Sequence, residues 1–216
     1  MAAVQPVLEQ PRRRRWVRRR RPLDEPRRNA LRQTFANEVE MGSPLPAFRL
    51  TDSGGRVWTP RDFEHARGLL IAFLSNRCPF VLRMRTELAD YANVLQRTGI
   101  GVLAINANDA QTHPEEGPIA TSRAARSLSL NFPYLRDDTQ EAARAFQAAC
   151  TPDLFLYGPR QTLFYHGQFD SARPNNDLPV TGEHLRCAVE RLLAGRPAPE
   201  IQHSSSGCAI RWRGPR

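Results

Sequence analysis

The stretch Gly68-Leu69-Leu70-Ile71-Ala72-Phe73-Leu74-Ser75-Asn76-Arg77-Cys78-Pro79-Phe80 decides the reading of this chain. Leu69 to Leu74 is apolar and uncharged, the pattern of a strand buried on both faces of a sheet. Behind it, Val81, Met84, Leu88, Tyr91 and Leu95 recur at steps of three and four, which makes one apolar stripe along a helix. Pro79 suits the first helical position, where no backbone N–H is required. Cys78 therefore falls where a buried strand hands over to a helix. Helix N-termini carry unpaired N–H groups and a partial positive charge. A thiol there ionises more readily, and Arg77 beside it should help. The plainer reading is a buried, inert cysteine, common among free thiols; position and charge favour the reactive one.

Upstream, Phe48 to Asp52 and Arg56 to Trp58 read as two short strands around the Ser53-Gly54-Gly55 turn. Thr59 can cap a short helix that opens with Pro60. Downstream, Gly99 to Ile105 is a second buried strand, ending in Asn106-Ala107-Asn108-Asp109. If it runs parallel to the first, those polar residues share an edge with Cys78; capping the turn is an equally good role for them. Pro118 to Leu128 reads as helix and Pro133 to Leu135 as strand. Thr139 caps a predicted helix over Gln140 to Ala149. Leu154 to Tyr157 and Thr162 to His166 form a hairpin across Gly158-Pro159. A last helix capped by Thr181 carries Leu185, Val189, Leu192 and Leu193 and stops at Gly195. Cys187 lies on it as a partly buried residue without a role.

With 216 residues, 40% of them hydrophobic, the chain is long enough for one domain with extensions and a sizeable core. The formal net charge is +9, and all 31 basic residues are Arg, so coding bias contributes to the Arg content. The expected domains are an Arg/Pro-rich disordered extension over 1–36, a folded domain over 37–196 and a tail over 197–216. Arg12–Arg15 and Arg18–Arg21 bracket Trp16 and Val17. Such a tract suits nucleic acid or an anionic surface, but a solvated tail is the preferred reading. Translation starting at Met41 is a further reading. No apolar run suits a secretory signal or a membrane span. The four cysteines, Cys78, Cys150, Cys187 and Cys208, make no paired metal-ligand spacing, and the size excludes a disulfide-framed mini-domain. No cofactor or metal is expected, and the expected location is cytoplasmic.

The order of elements implies an α/β sandwich with helices on both faces of a mixed sheet. The chain resembles the thioredoxin fold, in the peroxiredoxin-like branch of the alkyl hydroperoxide reductase/thiol-specific antioxidant group. The resemblance is carried by Ser75 to Val81, Ala104 to Asp109, Phe132 to Gln140, Ala149-Cys150-Thr151-Pro152-Asp153, Gly167 to Asp170, Arg173-Pro174 and Gly207 to Trp212. It implies a three-layer sandwich with a mixed central sheet. It also implies that Cys78 occupies the place of the second cysteine of the thioredoxin Cys-x-x-Cys, which is the peroxide-attacking position of peroxiredoxins. Pro152 matches the cis-proline that faces the active cysteines, leaving backbone groups free for an extended thiol substrate.

The departures are informative. Position 75 is Ser where similar relatives carry the first Cys of Cys-Asn-His-Cys, and Arg77 stands for the His. Dithiol chemistry within the motif is therefore lost. Ser75 instead occupies the place of the peroxiredoxin hydroxyl, from which it could hydrogen-bond the thiolate or a bound peroxide. Ile71 replaces the proline that opens the peroxiredoxin motif, and the peroxiredoxin arginine is absent beside Thr151-Pro152.

Two functions follow. The first is a thiol-based oxidoreductase, either a peroxiredoxin-like antioxidant or a thiol-disulfide oxidoreductase. Cys78 is then the reactive thiolate, with Ser75, Arg77 and Pro152 around it and Cys150, Cys208 or an external thiol as resolver. Cys150 is expected to link to Cys78 ahead of Cys208, which reaches only if Ile210 and Trp212 anchor the tail. The partners are a peroxide or disulfide substrate and a thiol reductant, either a small thiol or a thioredoxin-type protein. The alternative is a redox-inactive binding module, with residues 12–21 as a nucleic-acid-binding tail.

Overall fold

Gly68 to Phe73 forms an interior strand of a seven-stranded mixed sheet in the structure, a computed structural model that describes residues 33–214. In chain order the strands are β1 (Thr34–Phe35), β2 (Leu50–Thr51), β3 (Val57–Trp58), β4 (Gly68–Phe73), β5 (Ile100–Asn106), β6 (Tyr134–Arg136), β7 (Cys150–Thr151), β8 (Asp153–Tyr157), β9 (Leu163–Gly167) and β10 (Ser206–Ala209). The helices are α1 (Pro79–Arg97), α2 (Pro118–Ser127), α3 (Glu141–Ala145) and α4 (Glu183–Leu193). The main sheet has the order β3-β2-β6-β5-β4-β8-β9, and a small second sheet has the order β1-β10-β7. β4 runs parallel to β5 and antiparallel to β8, and β5 runs parallel to β6.

Alternation along β4 divides the core into two layers. Leu70, Ala72 and Leu74 pack under the α1 stripe of Val81, Met84, Leu88, Tyr91 and Leu95 and under Leu185, Ala188 and Val189 of α4. Leu69, Ile71 and Phe73 face the other way, onto Phe48, Ala142, Ala143 and Phe146. Both faces of the strand are therefore covered, which is what an uninterrupted apolar run requires. The result is the α/β three-layer sandwich with a mixed central sheet.

The margins differ from the sequence reading. The helix predicted over Gln140 to Ala149 is only α3. Gln140 takes a left-handed φ of 63° and Gln147 one of 57°, which bounds the helix at both ends. Gln140 is held there by its Nε2, which donates to the Ala107 carbonyl at 2.6 Å and the Arg211 carbonyl at 2.9 Å. Its early end lets Phe146 turn into an aromatic cluster with Phe73, Phe155 and Tyr157. The caps also move. Gly182, not Thr181, caps α4, because Asp170 Oδ2 accepts from the N–H groups of both Thr181 and Gly182 at 2.7 Å. Cys187 is exposed rather than partly buried.

The largest difference lies at the two ends. Thr34 and Phe35, read as part of the extension, pair with Gly207 and Ser206. Residues beyond 196, read as a tail, return to the fold: β10 pairs antiparallel with β7, with Cys208 opposite Thr151 and Ala209 opposite Cys150. Ile210 is buried in the second core layer, and the Arg144 guanidinium lies over the Trp212 ring at 4.6 Å. The disorder expected over residues 1–36, and the basic tract at 12–21, lie outside the described residues up to position 32. Among the described residues no helix is long and apolar enough to cross a membrane, and no group of three or more His, Cys, Asp and Glu side chains gathers as a metal site.

Candidate active site

Cys78 is the N-cap residue of α1, in extended conformation, and Pro79 opens the helix. The parallel β4 and β5 end at the same edge, so the loop after each comes together there. Cys78 is 3% exposed. As a thiol its Sγ donates to the Thr151 carbonyl at 2.9 Å, and the Thr151–Pro152 bond is cis. The residues read as reactive cysteine and facing proline are thus neighbours.

Several donors converge on the Cys78 sulfur and bring its pKa down to about 6. A hydrogen bond from the Cys208 thiol contributes most; burial opposes it, and the Val81 and Cys208 backbone N–H groups add to the lowering. Thr151 adds the smallest part of this lowering, although its buried hydroxyl makes no hydrogen bond in the structure. The Val81 N–H is one of the unpaired first-turn amides of the helix, so the expected effect of a helix start is present here as a specific donor. The same thiol–thiol bond, burial and the Cys78 charge push the Cys208 thiol up.

Arg77 does not take the part expected of it. Its side chain is 68% exposed and pairs with Glu115 Oε1 at 2.8 Å. Its charge is drawn outward to a partner on the surface, and the largest contributions to the lowered pKa of the thiol come from other groups.

Ser75 also differs. Its hydroxyl has one proton, and that proton goes to Glu116 Oε1 at 2.6 Å. Its oxygen accepts from the Cys78 N–H at 3.0 Å and the Arg77 N–H at 3.1 Å. Ser75 is thus a cap for the turn that presents Cys78, not a donor to its sulfur. Glu116 anchors this arrangement. It is 4% exposed, and its second oxygen accepts from the Asn76 N–H at 2.9 Å and Asn106 Nδ2 at 2.8 Å. Asn106 and Asn108, placed at this edge by the sequence reading, have clear partners. Asn106 holds Glu116, and Asn108 Oδ1 accepts from the Arg211 N–H at 2.8 Å, which docks the chain after β10.

The two cysteines named as resolving candidates are placed differently. Cys150 is fully buried, and its Sγ donates to the Pro152 carbonyl at 3.7 Å rather than to Cys78. Burial, then Asp153, then Cys78 push the Cys150 thiol up. Cys208, opposite Thr151 in the β7–β10 pair, is the thiol against the Cys78 sulfur. The backbone edge beside Pro152, expected to stand free for an extended substrate, is taken by β10.

Glu116 and Thr151 were missed as site residues. Glu116 follows His113-Pro114-Glu115 in the loop after β5, and an acid at the carboxyl edge of a parallel strand is a usable signal. Adjacent acids read first as a solvated pair.

The chain has clear relatives. The sequence model of the AhpC/TSA family matches residues 41–166. A hypothetical protein from Sinorhizobium meliloti 1021 is 44% identical, with a TM-score of 0.83 over 84% of this chain and 100% of that one. An uncharacterized conserved protein from Geobacillus kaustophilus is 41% identical, with a TM-score of 0.84 over 86% and 99%. The thioredoxin domain of a thiol-disulfide oxidoreductase from Bacteroides vulgatus, at 16% identity, shares the fold with a TM-score of 0.51 over 61% and 90%. No curated protein matches. With a family match over more than half its length and two relatives above two-fifths identity, the chain belongs to the AhpC/TSA family, a thioredoxin-like, peroxiredoxin-type group of thiol redox proteins.

Proposed function

We propose that the protein is a thiol peroxidase whose attacking group is the Cys78 thiolate. The observation that carries this reading is the placement of Cys78 as the N-cap residue of α1, its sulfur 2.9 Å from the carbonyl of Thr151 on the cis-proline loop, and the lowering of its pKa by the surrounding groups agrees with it. A peroxide rather than a polypeptide disulfide is favoured because Cys78 is 3% exposed and β10 already pairs along the Cys150–Thr151 edge. Such a site admits a small oxidant more readily than an extended chain.

In the step proposed, the thiolate attacks one peroxide oxygen. An S–O bond forms, the O–O bond breaks, and the departing alkoxide or hydroxide takes a proton from water. Cys78 becomes a sulfenic acid, two electrons more oxidised. A small thiol or a thioredoxin-type protein returns the reducing equivalents.

The magnitudes say what the low pKa does. Roughly nine-tenths of Cys78 is thiolate at pH 7, against about 3% for an ordinary cysteine. That gain of about 30-fold is cut about 10-fold by the weaker nucleophilicity of a less basic sulfur. The net advantage of a few-fold is small, so most of the rate must come from orientation of the peroxide by fixed donors.

Peroxide consumption with dithiothreitol as reductant tests the reading, using hydrogen peroxide and cumene hydroperoxide. Wild type should turn over and Cys78→Ser should not. Wild-type consumption no faster than that of free cysteine would refute it.

A further inference from the structure

β10 is placed where an extended substrate would lie in this fold. It runs antiparallel to the two residues that precede Pro152, in register, with Cys208 opposite Thr151. The Thr151 carbonyl is itself 2.9 Å from the Cys78 sulfur. Directly paired antiparallel residues have Cα atoms about 4.5–5.5 Å apart, so the register fixes Cys208 beside that carbonyl. The strand is held on every side. Thr34 and Phe35 pair along its other edge, the Ile210 N–H donates to the Ala149 carbonyl at 3.0 Å, and Ile210 is buried. Beyond it, the Arg211 N–H donates to Asn108, and the Arg211 carbonyl accepts from Asp109 N–H at 2.9 Å. Gly207 allows the close approach, since a Cβ there would run into the Thr151 carbonyl.

We infer that β10 is a built-in substrate strand and that Cys208 is the resolving thiol of Cys78, replacing within one chain the partner that Ser75 cannot supply. The inference rests on Cys78 being the reactive thiolate. After peroxide has produced the Cys78 sulfenic acid, the Cys208 sulfur attacks the Cys78 sulfur. The S–S bond forms, the S–O bond breaks, and the leaving hydroxide takes the Cys208 proton as water. Two thiols and one hydroperoxide thereby give one disulfide, one alcohol and one water.

The electrostatics set the order of events. While Cys78 is a thiolate, its charge keeps the Cys208 proton in place. Conversion to neutral sulfenic acid removes that charge and frees Cys208 to ionise. The same asymmetry directs reduction by an external dithiol. Cys78, the less basic thiol, is the better leaving group, and Cys208 is the more exposed residue, partly exposed where Cys78 is buried. The incoming thiolate therefore attacks Cys208 and expels Cys78; a second thiol of the reductant then releases Cys208 as its own disulfide closes.

The test treats the full chain with one equivalent of hydrogen peroxide, followed by peptide mapping without reduction and trapping of sulfenic acid with dimedone. Wild type and Cys150→Ser should both give a Cys78–Cys208 link. Cys208→Ser should give no link and a Cys78 sulfenic acid surviving at least about tenfold longer, because its internal nucleophile is gone. Gly207→Val, which must push β10 off β7, should slow the link while Cys78 still oxidises. A Cys78–Cys150 link in wild type, or sulfenic acid at Cys78 of equal lifetime in wild type and Cys208→Ser, overturns the inference alone and leaves Cys78 reactive. A Cys78 that does not oxidise overturns the proposed function and the inference together.

Discussion

Glu116→Gln is the sharpest probe of how the Cys78 turn is built. The buried carboxylate accepts three hydrogen bonds, from Ser75 Oγ at 2.6 Å, Asn76 N at 2.9 Å and Asn106 Nδ2 at 2.8 Å. A glutamine side chain offers one acceptor and one donor. If its oxygen keeps Ser75, its Nε2 faces the two N–H donors of Asn76 and Asn106, and both bonds are lost. Hydrogen bonds to a charged group are worth about 1.5–3 kcal/mol each, so the gross loss is about 3–6 kcal/mol. Removing the buried charge returns part of its desolvation cost, and a net loss of about 3 kcal/mol is expected. For a domain of this size that corresponds to a melting temperature lower by on the order of 10 °C. Urea unfolding of the two proteins measures it directly. A Glu116→Gln variant within about 1 kcal/mol of wild type would refute the assignment of Glu116 as the anchor of the turn, since its loss should exceed that of any surface substitution.

Other substitutions separate the neighbouring roles. Ser75→Ala should cost about 1–2 kcal/mol through the two backbone N–H groups it leaves, with the pH midpoint of Cys78 alkylation unmoved; an upward shift of a full unit would mean that the hydroxyl acts on the sulfur after all. Arg77→Ala removes an exposed pair with Glu115 and should change stability by about 0–1 kcal/mol without moving the Cys78 midpoint, so a raised midpoint would restore Arg77 as an electrostatic partner. Phe146→Ala opens the cluster with Phe73, Phe155 and Tyr157 and should cost about 3–5 kcal/mol in denaturant unfolding; a cost near 1 kcal/mol would mean that the surrounding rings collapse into the space.

The parts of the fold that could be read in advance are those whose pattern is intrinsic to the segment. β4 and α1 announce themselves through an uninterrupted apolar run and a three-four stripe, and both carry the core as expected. α3 does not, because its limits come from Gln140 being tied to the Ala107 and Arg211 carbonyls far away in sequence. β10 is harder still. Ser206-Gly207-Cys208-Ala209 has no periodicity and little strand propensity, and it is a strand because β1 and β7 pair with its two edges.

The site shows the same division. The place of Cys78 at a strand-to-helix junction was legible from residues 69–95 alone. The direction of the Ser75 proton was not, since it depends on a carboxylate 41 residues away. Arg77 was read as a neighbour in sequence, whereas its guanidinium is drawn to Glu115. Cys150 ranked above Cys208 because it is near Pro152 in sequence; the β7–β10 register places Cys208, 130 residues from Cys78 in sequence, opposite Thr151 and beside Cys78.

The most direct test of the central claim is the pH dependence of alkylation at Cys78, followed peptide by peptide with iodoacetamide in the intact chain. Peptide resolution is needed because exposed Cys187 labels through access alone. Cys78 is a depressed acid, so its labelling rate should be low below pH 5, rise through a midpoint near 6 and be level by pH 8. A midpoint at the ordinary thiol value of about 8.5 would contradict the account, because the donors gathered on the sulfur would then not be stabilising its thiolate.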